Sequence, residues 1–159
     1  LHLQRLGRKR IVFLGDTEAP EAMQRHRGYL DALEHAKLGV DPDLIVPAHF
    51  EVESAEAALD SLIHHGVTFD GVVAASDLIA LGAMRALKHA GLSVPGDVSV
   101  MGFDNVPFSR YASPALSTIA QDTTKAGRLM VSKLLDSVER ASRSRRVPTD
   151  LLIRESGGG

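Results

Sequence analysis

The sequence predicts an α/β domain, a parallel sheet flanked by helices on both faces. Three observations predict it. Short apolar runs at residues 11–14, 72–75 and 98–103 have the character of strands covered on both sides. Segments with apolar residues near helical spacing lie between those runs. Small or acidic residues close each run, Gly15-Asp16 after the first, Ser76-Asp77 after the second and Asp104 after the third. Strands alternating with helices wind into right-handed βαβ units.

Residues 1–10, LHLQRLGRKR, read as the end of a helix, a glycine stop and a basic turn. Ile11 to Leu14 make the first buried strand, and Gly15-Asp16-Thr17 the loop at its carboxyl end. Pro20 suits the first turn of a helix, which runs through Met23, Leu30 and Leu33 to a stop at Gly39. Asp41-Pro42-Asp43 is a turn, residues 44–46 a short second strand, and His49-Phe50-Glu51 a loop. Residues 54–65 form the next helix, with Ala55, Leu59, Leu62 and Ile63 toward the sheet. The run 72–75 follows as a strand. Ser76 and Asp77 end it, and both can accept hydrogen bonds from the free N–H groups of a new helix. Leu78, Leu81, Ala86 and Leu87 sit near helical spacing in that helix, and Gly91 stops it.

Pro95-Gly96-Asp97 turns the chain into the strand 98–103, which ends in Asp104. The segment VPFSRYASPAL is irregular or briefly helical, broken by Pro107 and Pro114. Residues 117–120 give a further strand. Residues 124–140 form a helix whose apolar stripe is Met130, Leu134 and Val138, widened by Val131 and Leu135. A basic stretch RASRSRR, a last strand at 151–153 and a glycine tail complete the chain.

A chain of 159 residues suffices for one compact domain that buries about 70% of its unfolded surface. A net charge of −2 gives no global pull toward nucleic acid or anionic membrane. Without cysteine, disulfides and thiolate metal sites are excluded. No apolar run approaches the roughly 20 residues of a membrane span. The chain opens on Leu1 rather than Met and leads straight into a strand, as a cut inside a longer protein would. Enzyme motifs are lacking: no G-x-S-x-G, P-loop, H-E-x-x-H or G-x-G-x-x-G occurs. His64-His65 fits a helix end, where histidines face the dipole favourably, better than a metal site. RASRSRR reads as a solvated loop before it reads as a phosphate contact.

Ligands on open α/β sheets bind outside the carboxyl ends of the strands. Four polar residues fall near that edge: Arg25, Ser76, Asp77 and Asp104. Singly, each has an ordinary reading as a cap, a turn or an exposed arginine. Their common placement is what marks a candidate binding crevice.

The stretches SDLIALGAMRALKHAGLSVPGDVSVMGFDN and SPALSTIAQD, with LGRKRIVFLG, Arg25-x-x-Gly28-Tyr29 and the closing LLIRES, resemble the effector-binding domain of the LacI/GalR family of bacterial transcription regulators. The resemblance covers the whole chain. It implies a periplasmic-binding-protein-like fold of two subdomains, this chain being the second half. The first subdomain and a DNA-binding helix-turn-helix would lie upstream. It further implies a cytoplasmic homodimer that binds a sugar-like effector and reaches operator DNA only through the upstream domain. Cofactor, metal and membrane are not implied.

Carried over by resemblance, Arg25 and Asp104 hold the effector, with Ser76, Phe50 and Gln121 as further contacts. Leu78, Leu81, Arg85, Phe108 and Tyr111 form the dimer surface. The helix 124–140 packs on the first subdomain, so its stripe would be bare here. A guanidinium fork and a carboxylate each grip two hydroxyls, which favours a sugar or related polyol. Arg25 and Asp104 are expected to matter for binding and little for the fold. A periplasmic sugar-binding protein of an uptake system is the alternative, distinguished by an upstream signal peptide rather than a helix-turn-helix. An α/β enzyme is a third possibility, for which the chain offers no nucleophile–base pair.

Overall fold

Register fixes which residues face which layer of helices. The computed structural model describes residues 1–137 and 147–159. Six strands form one sheet in the order β2-β1-β3-β4-β5-β6. They are β1 (Ile11–Leu14), β2 (Ile45–Val46), β3 (Gly71–Ala74), β4 (Ser99–Asp104), β5 (Ser117–Gln121) and β6 (Thr149–Leu152). β1 to β5 are mutually parallel, while β6 runs antiparallel on β5. The helices are α1 (His2–Arg5), α2 (Pro20–His35), α3 (Val52–His64), α4 (Asp77–His89) and α5 (Thr123–Ser137).

Val12, Val72 and Val100 stand side by side across β1, β3 and β4, and all are fully buried. Gly102, on the same face by the two-residue period, lies beneath Asp77 and Ala80 of α4. This face therefore carries the α3–α4 layer. The two helices meet closely at Gly82, where a Cβ would overlap the Val52 carbonyl and sit 2.8 Å from the Ala55 Cβ. The opposite face presents Phe13, Val73 and Met101 in register. There α2 covers β1, with the Tyr29 ring 5.5 Å from that of Phe13 and the Tyr29 hydroxyl donating to the Ile11 carbonyl at 2.8 Å. Burial, aided by Asp41, pushes the Tyr29 phenol up to about 12.

Several expectations shift. α2 turns Ala22, Tyr29 and Leu33 inward and leaves Met23 52% exposed, because Met23 lies about 100° round the helix from Ala22. The helix stops before Gly39, with Lys37 taking the left-handed φ of 57° that a glycine usually supplies. Leu44 closes a 3-10 turn (Pro42–Leu44) instead of opening β2. β6 makes the sheet mixed at one edge. On α5, Met130, Val131, Leu134 and Leu135 are all exposed. Val138 of the expected stripe and the basic run 140–146 lie outside the described residues.

Candidate functional site

The carboxyl end of β4 gathers three of the expected side chains. Oδ1 of Asp104 receives Nε2 of Gln121, from the end of β5, at 2.7 Å and Nη2 of Arg25 at 3.3 Å. Arg25 stands in the second turn of α2, one turn after the proline that fixes the helix start. Its guanidinium lies over the Phe103 ring, 3.9 Å from the centroid, and its Nη1 donates to the Ala75 carbonyl. Burial pulls the Arg25 pKa below its usual range, against the opposing pull of the Asp104, Glu21 and Asp77 carboxylates. The group remains a cation. Among the described residues nothing donates to Oδ2 of Asp104. The arrangement therefore holds a carboxylate in fixed orientation with one oxygen available, which suits acceptance of a hydroxyl proton.

The remaining expected residues are placed differently. Ser76 is 3% exposed, and its Oγ caps α4 by accepting from the Ile79 N–H at 3.3 Å. Phe50, in the loop after β2, is half-buried against the core and shares no bond with the Arg25, Asp104 and Gln121 group. Asp77 does not cap α4. It points back toward the sheet, where Oδ2 accepts from the Val106 N–H at 2.8 Å and Oδ1 from the Thr118 hydroxyl at 2.5 Å. Burial raises its pKa, and these two bonds partly offset the rise. Gly102 makes that position possible, since a Cβ there would overlap Oδ1. A glycine inside a strand was the available signal that another group approaches closely. Phe103 and Arg154 had no sequence signal of comparable strength.

From Arg25 and Gln121 a groove of about 930 Å³ runs along the sheet, floored by Val73, Met101, Phe103, Ile119 and Leu151. Its floor is apolar, so the hydrogen-bonding groups lie at the Asp104 edge and not along the floor. A second feature lies apart from this edge. Leu78, Phe108 and Tyr111 are 41%, 73% and 79% exposed, while Leu81 is half-buried against the core. Nearby on α4, Arg85 and His89 each approach a different oxygen of Glu56 at 3.1 Å. Glu56, Asp60 and His89 lie close enough together to hold an ion, but the Glu56 carboxylate already has these two partners. His64 and His65 each place Nδ1 2.7 Å from a carbonyl one turn earlier, an ordinary helix ending. Among the described residues no helix is long and apolar enough to cross a membrane.

A model of the periplasmic binding protein-like domain matches residues 1–157. The ribose operon repressor of Haemophilus influenzae is 37% identical over 153 residues, an alignment covering 94% of this chain and 46% of that protein. A solved structure described as a LacI-family transcriptional regulator from Sanguibacter keddieii superposes with a TM-score of 0.89 at 38% identity, covering 99% of this chain and 61% of that one. The transcriptional regulator CelR in complex with cellobiose gives a TM-score of 0.90 at 33% identity, over 97% of this chain and 48% of that one. The chain thus spans about half the length of the curated relatives it matches. With the mixed α/β sheet and the charged cluster at its carboxyl edge, these likenesses establish that the chain belongs to the periplasmic-binding-protein-like domain family, in the form carried by LacI-type transcriptional regulators.

Proposed function

We propose that this chain is the ligand-sensing half of a LacI-type regulator, and that it binds a sugar or related polyol at the edge formed by Arg25, Asp104 and Gln121. The observation that carries the reading is the convergence of two donors on Oδ1 of Asp104, which leaves Oδ2 for the effector. Phe50, half-buried against the core in the loop after β2, is proposed as a further effector contact from the resemblance, and Ser76 supports the edge through its cap. The other wall of the cleft comes from the first half of the longer protein. Closure of the two halves re-angles a DNA-binding domain and so changes operator affinity, a hinge-type switch. The ribose operon repressor and the CelR–cellobiose complex are sugar-linked by name, which supports the effector class. No chemical step is part of this reading, and the protein acts in the cytoplasm.

The test uses the longer protein with D-ribose, cellobiose and a panel of related sugars. We expect one sugar to raise the melting temperature and shift operator affinity, and to be recovered chemically unchanged. A panel without any binder, or a sugar consumed on incubation, overturns the reading.

Self-association is the second part. Leu78, Phe108 and Tyr111 expose apolar surface that a second copy can cover, with Leu81 and Arg85 alongside on α4. Phe108→Glu should weaken the dimer by roughly thirtyfold or more, since loss of an aromatic anchor costs about 2 kcal/mol or more. Sedimentation of wild type and variant checks this, and an unchanged dissociation constant removes Phe108 from the interface.

A further inference from the structure

We propose that Arg154 and Asp77 are positioning residues for the Asp104 carboxylate that binds the effector, and that the clamp they form couples the Asp104 edge to the surface of Leu78, Phe108 and Tyr111. The inference rests on the site reading given above. Asp104 has a φ of 111°, which side chains disfavour, and the following Asn105 a φ of 55° in the left-handed region, uncommon for a residue other than glycine. Such conformations persist only where the surroundings over-determine them.

Two charged residues do so here, and neither touches the Asp104 carboxylate. Arg154, just past the end of β6, donates from Nη2 to Oδ1 of Asn105 at 2.8 Å. Its Nη1 donates to Oγ of Ser109 at 3.0 Å and to the Leu116 carbonyl at 2.6 Å. Asp77 holds the same turn from the other side through the Val106 N–H and through Thr118, whose Oγ1 accepts from the Asn105 N–H at 3.3 Å. The turn is thereby pinned at Asn105, Val106 and Ser109.

What is pinned reaches both surfaces. Asp104 stands immediately before the turn, and Phe108 lies within the pinned stretch, with Tyr111 just after it. Asp77 is followed in the chain by exposed Leu78. One rigid piece thus carries the carboxylate that grips the effector and the apolar residues offered to a second copy. Its two states are the clamped turn and one relaxed to negative φ. An effector that binds Asp104 in the clamped state favours the clamped surface. By linkage, self-association raises effector affinity by the same factor.

The experiment compares Arg154→Met with Arg8→Met in the longer protein. Arg8 is a matched control, donating to Oγ of Ser99 and to the carbonyls of Pro95, Gly96 and Asp97, away from both surfaces. Amide exchange over residues 104–111, affinity for D-ribose and cellobiose, and the dimer dissociation constant with and without sugar are read for each. Arg154→Met should speed exchange at residues 105–109 and weaken sugar binding, each by about tenfold or more, and abolish the sugar-dependent shift of the dimer constant. Arg8→Met should lower the melting temperature without these effects. Equal behaviour of the two variants, or faster exchange in Arg154→Met with sugar and dimer constants intact, overturns the proposal. If wild type binds no sugar of the panel, the effector reading fails on its own. Exchange and the dimer constant then decide the clamp, and no difference between the variants in either removes it.

Discussion

Gly82→Ala should lower the unfolding free energy by about 2 kcal/mol net, the cost of about 3 kcal/mol for forcing extra volume into a close-packed interior less what helix propensity returns. The new Cβ overlaps the Val52 carbonyl oxygen and stands 2.8 Å from the Ala55 Cβ, so α3 and α4 have to separate. Ala55 and Leu59, both fully buried, lose packing in that movement. The better helix propensity of alanine returns about 1 kcal/mol, less than the clash removes. For a domain of this size each kcal/mol shifts the melting temperature by about 2–4 °C, so a fall of about 4–8 °C is expected in a thermal melt. Gly28→Ala is the contrast. It is helical too, but nothing lies within 4 Å of its added Cβ, so it should leave the melting temperature unchanged or raise it. Equal falls in the two variants would show that packing at the α3–α4 contact is not what Gly82 provides.

Arg25→Ala should impair both stability and binding, contrary to the sequence-based expectation that this residue matters little for the fold. The variant loses the contact over Phe103, worth about 1 kcal/mol, and leaves the Ala75 carbonyl without its donor, about 1 kcal/mol more. The ion pair with Asp104 adds little at a site open to solvent on one side. A loss of about 2 kcal/mol therefore accompanies a ten- to hundredfold loss of effector affinity, the value of one hydrogen bond to a charged group. Arg25→Lys should restore only part of either, because an ammonium cannot span the Ala75 carbonyl, the Asp104 carboxylate and the Phe103 face together. Thermal melts and titrations of the longer protein check both halves. An unchanged melting temperature would return Arg25 to a purely ligand-binding role.

The strand runs, the long helices and the carboxyl-edge placement of Arg25 and Asp104 were legible because they rest on local pattern. Residues 72–75 predicted β3 with a shift of one residue, and Ser76 was identified as a cap from its type and place. What escaped depended on distant partners. Asp77 has the composition of a cap, and only the fold brings Val106 and Thr118 within reach of it. Spacing placed Met23 in the helix without fixing its face, and the small Ala22 and the ring of Tyr29 set the buried one. The antiparallel β6 follows a long connection whose direction of return no periodicity reports. Arg154 fell within the LLIRES stretch that carries the resemblance, but nothing local pointed to Asn105, 49 residues away, as the group it holds.

Asp104→Asn in the longer protein tests the site most directly. Asparagine keeps the size of the side chain and one carbonyl oxygen for Gln121 and Arg25, and it replaces the available Oδ2 with a donor. Calorimetric titration with the sugar that the panel identifies should then show affinity reduced ten- to hundredfold, with the ligand-free melting temperature within about 2 °C of wild type. Full affinity in Asp104→Asn would contradict the account, because the effector would not then be held by the carboxylate on which Arg25 and Gln121 converge.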